Sequence, residues 1–216
     1  MGKLFGTDGI RGEANRHPMT PEIAFGVGQA IAHVFKKKGH RSVIVIGKDT
    51  RLSGYMLESS LAAGITSMGG YSYLVGVMPT PGIAFVTQSM RADAGVVISA
   101  SHNPFQDNGL KIFGGDGYKL TDEKEEIIED LILNNKLSEF LSKGDDIGRA
   151  FRLEGVNGRY IVFVKNTFPR NLSMEGLTIV LDTDNWATYR VAPDIFHDLG
   201  ADTDVIHTTP TGFHNH

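Results

Sequence analysis

Apolar positions follow two different spacings along the first two thirds of the chain. One spacing is helical and begins after Thr20-Pro21, a pair that suits a helix start. Its apolar members are Ile23, Val27, Ala30, Ile31 and Val34. The other pattern consists of short apolar runs at residues 42–47, 71–75 and 94–99, which are typical of buried parallel strands. Their alternation with helical segments predicts an α/β fold, a layered α/β/α domain with a mixed, mostly parallel sheet.

Polar residues and glycines indicate where further elements begin and end. Ser53 is predicted to cap a second helix that ends at Gly69-Gly70. Glycine-rich residues 114–117 separate two short apolar runs, which predicts a hairpin. Thr121 is predicted to cap an acidic helix that extends to about Asn134.

The pattern changes after residue 135, where we predict a domain boundary. Residues 136–156 are polar and irregular, and residues 158–168 predict a linking helix. The remaining predicted elements are a strand over 177–182, a helix over 187–199 and a strand from Thr203. Because a strand–helix–strand piece is too small to bury both faces of a sheet, we expect a second, incomplete α/β domain. The predicted domains are residues 1–150 and 155–216.

Composition narrows the functional classes. Apolar residues make up 41% and charged residues 21% of the 216, which are ordinary values for a globular protein. The net charge of −4 makes nucleic acid a poor candidate partner. The chain has no cysteine, no apolar signal core and no run long enough for a membrane span, so we predict a cytoplasmic protein with no membrane partner.

Candidate chemistry lies in three loops. In α/β sheets, ligands bind beyond the carboxyl ends of the strands. Residues 48–54 and 100–104 follow two predicted strands, and residues 6–12 form a glycine-rich segment near the amino terminus. The first of these loops carries two cations, Lys48 and Arg51, beside a helix start.

Ser101 is the candidate reactive residue, because it comes just past a buried strand. A serine hydroxyl alone is a weak nucleophile, whereas a phosphoserine is a phosphoryl donor that needs cations and hydrogen-bond donors around it. Asn103, His102, Lys111 and Arg11 could supply them. Taken alone, Ser-His-Asn-Pro also suits an ordinary turn. A serine hydrolase is a weaker alternative, because no Gly-x-Ser-x-Gly surrounds the serine.

The three loops together resemble those of the α-D-phosphohexomutases, most closely the bacterial phosphoglucosamine mutase branch, across essentially all 216 residues. The matching motifs are Phe5-Gly6-Thr7-Asp8-Gly9-Ile10-Arg11-Gly12, Gly47-Lys48-Asp49-Thr50-Arg51, and Ile98-Ser99-Ala100-Ser101-His102-Asn103-Pro104 with Asp107-Asn108-Gly109-Leu110-Lys111. The phosphomannomutase branch usually begins with a Tyr-Asp-Ile-Arg-Gly type of motif instead. The fold that the resemblance implies is the layered one predicted from the pattern.

The resemblance also implies a mechanism. Ser101, phosphorylated, would give its phosphoryl group to a phosphosugar and take the other phosphate back, interconverting glucosamine 6-phosphate and glucosamine 1-phosphate for cell-wall precursors. The implied catalytic residues are Ser101, Arg11, Lys111 and His102, and the implied substrate-binding residues are Thr7, Asn103, Lys48 and Arg51. The implied cofactor is Mg²⁺, bound by the Ser101 phosphate and by three aspartates.

Those three aspartates belong to an Asp-Gly-Asp-Gly-Asp-Arg type of loop that these 216 residues do not contain. One phosphoserine oxygen cannot hold Mg²⁺ alone, so we expect the isolated chain to have no mutase activity. Trp186 is a second departure, because the family favours Ala-Asn-Gly-Ala where Asp184-Asn185-Trp186-Ala187 stands. Glycine suits a tight turn there and tryptophan does not, so this departure argues against native folding of the second-domain piece.

Two alternatives to this hypothesis stay open. One keeps the chemistry and changes the sugar, giving phosphomannomutase or phosphoglucomutase specificity. The other is a non-catalytic module that binds a phosphosugar or self-associates, as a homodimer or through an open sheet edge.

Overall fold

The computed structural model describes residues 4–213, which form eight strands and six α-helices. The strands are Ile10–Glu13 (β1), Val43–Lys48 (β2), Tyr71–Val77 (β3), Ala94–Ile98 (β4), Asp107–Gly114 (β5), Arg149–Arg152 (β6), Thr178–Asp182 (β7) and Asp202–Ile206 (β8). The helices are Pro21–Val34 (α1), Ser53–Ser67 (α2), Thr80–Ser89 (α3), Asp122–Leu133 (α4), Val156–Lys165 (α5) and Val191–Asp198 (α6).

Six of the strands form one sheet in the order β1-β5-β4-β2-β3-β6. Strands β2, β3, β4 and β6 are parallel, and β5 runs antiparallel to both β4 and β1. The predicted mixed, mostly parallel sheet is therefore confirmed. The carboxyl ends of β2 and β4 are neighbours in this order, so the loops after them meet at one edge of the sheet.

Helices cover both faces of this sheet, as the predicted layers require. On one face α1, α2 and α4 pack over a cluster that includes Ile31, Ile46 and Leu61, all without solvent exposure. On the other face α3 packs over Val45 and Val97. Helix α5, predicted as a link, packs against α3 and contributes to the same cluster. The predicted division into 1–150 and 155–216 stays a prediction.

The predictions for residues 149–152 and for Ser53 were wrong, and the packing explains why. Residues 149–152, predicted as irregular, form β6, whose Phe151 packs edge-on against Tyr71 and Tyr73 at 5.5 and 5.6 Å between ring centroids. An edge strand needs no continuous apolar run, so its sequence carries no strand pattern. Ser53 is not a cap but the first residue of α2, and its Oγ accepts a hydrogen bond from Asn108 Nδ2 at 2.8 Å.

The capping prediction at Thr20 is confirmed, because its Oγ1 accepts a hydrogen bond from the Ile23 N–H. The predicted hairpin forms only in part: the turn is present, and in it the Gly114 N–H donates to the Tyr118 carbonyl at 2.9 Å, but residues 118–120 form no strand. Beyond that turn, Phe113 and Lys119 form only an isolated bridge.

The second α/β unit consists of parallel strands β7 and β8 with α6 between them. Val180 on β7 and Ile206 on β8 are 65% and 45% exposed, so part of this sheet lacks a cover within residues 4–213. Self-association, as a homodimer or through an open sheet edge, stays a prediction. None of the described helices has the length and apolar content needed to cross a membrane.

Helices α1 and α2 approach closely where each carries a glycine. A Cβ on Gly64 would lie 2.1 Å from the Phe25 carbonyl oxygen, and a Cβ on Gly28 would lie 2.4 Å from the Leu61 carbonyl oxygen. Both distances are shorter than real carbon–oxygen contacts, and both involve backbone atoms. The two glycines therefore set the spacing of the helix pair behind the sheet.

We expect Gly64→Ala to lower the free energy of unfolding by about 1–3 kcal/mol, because the added methyl group must push the helices apart. The matched control is Gly158→Ala in α5, where a Cβ meets nothing within 4 Å. There the same substitution should stabilise by about 0.5–1 kcal/mol, through helix propensity. Urea unfolding of both variants checks this, and equal effects would contradict the packing argument.

Candidate active site at the serine loop

Ser101 lies in the loop that follows β4. Its backbone has a φ of 55°, a left-handed conformation that costs a residue with a side chain about 1–3 kcal/mol. The Ser101 N–H donates to Ser99 Oγ at 3.1 Å, whereas Ser101 Oγ has no hydrogen-bond partner within residues 4–213. The side chain is half-buried. The loop therefore presents an uncommitted hydroxyl on a constrained backbone.

Arg51 lies in the loop after β2 and binds the loop that contains Ser101 (residues 100–104, the serine loop). Its side chain is 0% exposed. Nη2 donates to the carbonyl of Ser101 at 3.1 Å and to the carbonyl of Asn103, and Nη1 pairs with Asp49 at 2.5 Å. The Asp49 carboxylate also accepts the Arg51 N–H at 2.9 Å. Arg51 thus joins two loops that are far apart along the chain.

Asn103 closes the serine loop. Its Nδ2 donates to Asp107 at 2.8 Å, and its N–H donates to the Ala100 carbonyl at 3.2 Å. His102 is exposed, and no described side chain hydrogen-bonds to it. Since His102 does not contact the Ser101 hydroxyl, the geometry gives no support to a serine hydrolase.

Arg11 and Lys111 share one face of the sheet with Gly109 and Ser99, the residue two positions before Ser101. Arg11 is paired in register with Gly109, and the Ser99 N–H donates to the Gly109 carbonyl at 2.9 Å, so the three residues form a row across β1, β5 and the end of β4. Side chains alternate along a strand, so Lys111 shares this face with Gly109. Ser101 lies beyond the end of β4, in the loop that follows it.

Gly109 allows Arg11 and Ser99 to approach it closely. A Cβ there would lie 2.7 Å from the Ser99 carbonyl oxygen and 3.1 Å from Arg11 Cγ, so the arginine side chain lies over the glycine. Arg11 Nε is buried and has no hydrogen-bond partner in the part of the chain that the structure describes. That donor is available to a bound anion. Sequence reasoning missed Gly109, because its place beside Arg11 depends on how β1 pairs with β5.

Asp8 anchors both cations. One carboxylate oxygen pairs with Arg11 Nη2 and with Lys111 Nζ, each at 2.7 Å. Partial burial by itself raises the pKa of Asp8, but the hydrogen bonds and charges of Lys111 and Arg11 outweigh it and hold the pKa below the ordinary 3.8. The lowered pKa means that folding favours the charged carboxylate.

We expect Asp8→Asn to lower the free energy of unfolding at pH 7 by less than about 1 kcal/mol, because the half-exposed pair is screened by solvent. The folded-state pKa of Asp8 is lowered. The wild type should therefore have a higher free energy of unfolding than the variant above pH 3.8, and this difference should be lost as the pH falls through the lowered pKa. Urea unfolding between neutral pH and pH ~3 checks this. An advantage that persists at the lowest pH would contradict the pairing.

The other predicted binding residues have different surroundings. Lys48 is buried and paired with Glu58, and its ammonium lies 4.4 Å from the centroid of the Tyr55 ring. Thr7 is exposed at a tight turn closed by a hydrogen bond from the Gly6 N–H to the Gly9 carbonyl at 2.8 Å. The substrate-binding roles predicted for Thr7, Asn103, Lys48 and Arg51 stay predictions.

A pocket of about 170 Å³ opens beside Ser101. Ser99 and Asp49 line it with Ser101, and the turn after β7 closes its far side through Trp186. The remaining wall is mainly apolar and includes Met78 and Pro79 from the loop before α3 and Val97 from β4. The serine therefore lies between the two α/β units.

The residues around Ser101 do not by themselves fit a Mg²⁺ site. No group of three or more histidine or acidic side chains within residues 4–213 is placed to hold a metal. Asp49 lines the pocket, but its carboxylate is committed to Arg51. Phosphorylation of Ser101 would add oxygen ligands and no further carboxylate.

Solved structures share this fold. A phosphoglucomutase/phosphomannomutase family protein from Burkholderia thailandensis superposes with a TM-score of 0.81, over 97% of this chain and 44% of its own, at 24% identity. The open form of parafusin from Paramecium, a phosphoglucomutase, gives 0.67 over 98% of this chain and 44% of its own, at 15% identity. At such identities the likeness shows the fold alone.

Sequence comparison identifies the family. Residues 2–139 match the family described as phosphoglucomutase/phosphomannomutase, alpha/beta/alpha domain I. The chain belongs to this family, the α-D-phosphohexomutases, and the predicted membership is confirmed. It is 68% identical to the phosphoglucosamine mutase of Syntrophobacter fumaroxidans and 62% identical to that of Syntrophus aciditrophicus. Each match covers 98% of this chain and 47% of the relative, so the chain spans about half the length of these relatives.

Proposed function

We propose that this chain supplies the phosphoserine loop of a phosphoglucosamine mutase, with Ser101 as the carrier of the phosphoryl group. The observation that carries the proposal is the Ser101 hydroxyl, which lacks a partner within residues 4–213 and is held at a left-handed backbone position by Arg51. Arg11 and Lys111 share a sheet face with Ser99, two positions before Ser101, and supply positive charge. The phosphoglucosamine mutases that this chain resembles support this sugar.

In the proposed reaction, a hydroxyl of the phosphosugar attacks the phosphorus of phosphorylated Ser101. The bond between phosphorus and Ser101 Oγ breaks, and the hydroxyl proton ends on the serine oxygen. The sugar then carries two phosphates, turns over in the site, and returns the other phosphate to Ser101 by the reverse step. Lys111 and Arg11 would stabilise the charge on the transferring group, since both are cations on the sheet face of Ser99.

Mg²⁺ is part of the proposal only as a group that neutralises phosphate charge when bound. Within this chain the one ligand we assign to it is the Ser101 phosphate. We therefore propose that the 216 residues alone do not catalyse the mutase reaction. We also propose a cytoplasmic location, which suits a phosphosugar substrate.

The experiment is a mutase assay on two proteins. The isolated chain is compared with a fusion in which the chain replaces the matching half of the Syntrophobacter relative. With Mg²⁺ and a bisphosphorylated hexose as activator, the fusion should convert glucosamine 6-phosphate and the isolated chain should not. A folded fusion that does not convert glucosamine 6-phosphate would overturn the proposed function. Turnover by the isolated chain would overturn its proposed dependence on other residues.

A further inference from the structure

The turn after β7 reaches across from the second α/β unit to the loop after β2. Asp184 and Asn185 have positive φ values of 45° and 54°, conformations that aspartate and asparagine tolerate better than other residues with side chains. The Asn185 carbonyl accepts a hydrogen bond from Thr50 Oγ1 at 2.7 Å. The turn is therefore hydrogen-bonded to Thr50, the residue that precedes Arg51.

Trp186, the next residue of this turn, covers the Arg51 guanidinium. The central carbon of the guanidinium lies 5.2 Å from the centroid of the Trp186 ring, within the range of a cation–π contact. The indole Nε1 donates to Asp184 at 2.9 Å, which fixes the orientation of the ring. Because Arg51 is 0% exposed, the contact lies in a region that water does not screen.

Arg51 Nε adds an independent reason for this cover. It is buried and has no hydrogen-bond partner within residues 4–213. A guanidinium with one unpaired donor needs other compensation, and the electron-rich face of the indole supplies it. The remaining donors of Arg51 hold the carbonyls of Ser101 and Asn103 and the Asp49 carboxylate.

We propose that Trp186 is a positioning residue for the serine loop, which it holds in place through Arg51. Two contacts connect Trp186 to the loop: the indole packs on the Arg51 guanidinium, and the guanidinium donates to the carbonyl of Ser101. The left-handed backbone of Ser101 is unfavourable in isolation, so it persists only while such contacts hold it. Because Trp186 belongs to the second unit, this contact links the placement of that unit to the placement of the hydroxyl.

The contact is tested first by hydrogen–deuterium exchange in the 216-residue chain. The Ser101 and Asn103 amides report on the loop, because both are hydrogen-bonded within it. Trp186→Ala should speed their exchange by about ten-fold and leave the amides of α1 unchanged, since one cation–π contact of this kind is lost. Trp186→Phe keeps an aromatic face and should restore most of the protection.

The matched control is Phe163→Ala, which removes an aromatic ring stacked on Phe85 at 4.2 Å, outside the serine loop. It should not change exchange at Ser101. Unchanged exchange at Ser101 in Trp186→Ala, or equal acceleration throughout the chain, would overturn the positioning role.

The consequence for catalysis rests on the proposed function and has its own readout. In the fusion, Trp186→Ala should lower kcat by about ten-fold with KM unchanged, because a displaced hydroxyl affects transfer rather than sugar binding. An unchanged kcat, or a raised KM alone, would overturn the catalytic consequence. A fusion that lacks mutase activity before any substitution refutes the proposed function, whereas the exchange result still decides whether Trp186 holds the loop.

Discussion

Ser101→Ala in the fusion is expected to lower mutase activity by about a thousand-fold or more. The substitution removes the oxygen that we propose forms a covalent bond to the phosphoryl group. Stability should change little, because Ser101 Oγ makes no hydrogen bond within residues 4–213. The measurement is a steady-state assay with glucosamine 6-phosphate, accompanied by urea unfolding.

Ser99→Ala is the matched control in the same loop. It removes the oxygen that accepts the Ser101 N–H and leaves the reactive hydroxyl in place. We expect a loss of no more than about ten-fold, the effect of one neutral hydrogen bond. Equal losses in the two variants would mean that the loop needs its shape alone, and would contradict a phosphoryl carrier at Ser101.

Arg51→Ala is expected to lower the free energy of unfolding by about 3–5 kcal/mol, because it leaves the Asp49 carboxylate buried without its cation. It also leaves the carbonyls of Ser101 and Asn103 without their donor. Arg51→Lys should lose less, since the charge remains, but one ammonium cannot reach all three oxygens in the guanidinium geometry. Urea unfolding measures both variants.

Arg159→Ala on the exposed side of α5 is the control for loss of an arginine. Its effect should stay within about 0.5 kcal/mol, as expected for a surface position. An Arg51→Ala variant that resembles this control would contradict the placement of Arg51 beneath the serine loop.

The central strands could be predicted from the sequence because both of their faces are buried. Strands β2 and β4 read as continuous apolar runs for that reason. Strands β1 and β6 lie at the two edges of the sheet, where a strand pairs on one side only, and their short polar segments carry no such pattern. Their positions follow from pairing with β5 and β3, which the local sequence does not encode.

The candidate site, like the fold, could be predicted from the sequence only in part. The motif around Ser101 could be found in the sequence, because a serine with turn residues follows a buried strand. The partners of Arg51 could not be predicted, since Ser101 and Asn103 are about fifty positions away and meet it only at the sheet edge. The tight turn forms with Trp186 in place, and the Trp186 N–H donates to the Thr183 carbonyl at 2.8 Å. Asp184 and Asn185 take the positive φ values, which leaves Trp186 free of that conformation and able to cover Arg51.

The most direct test of the proposed carrier is to locate the phosphate itself. The fusion is incubated with a bisphosphorylated hexose and Mg²⁺, digested, and mapped by peptide mass spectrometry. We expect a single phosphate on the peptide that contains Ser101, and none in Ser101→Ala. Full mutase activity with no phosphate on Ser101, or with the phosphate on another residue, would contradict the proposal that this serine carries the transferred group.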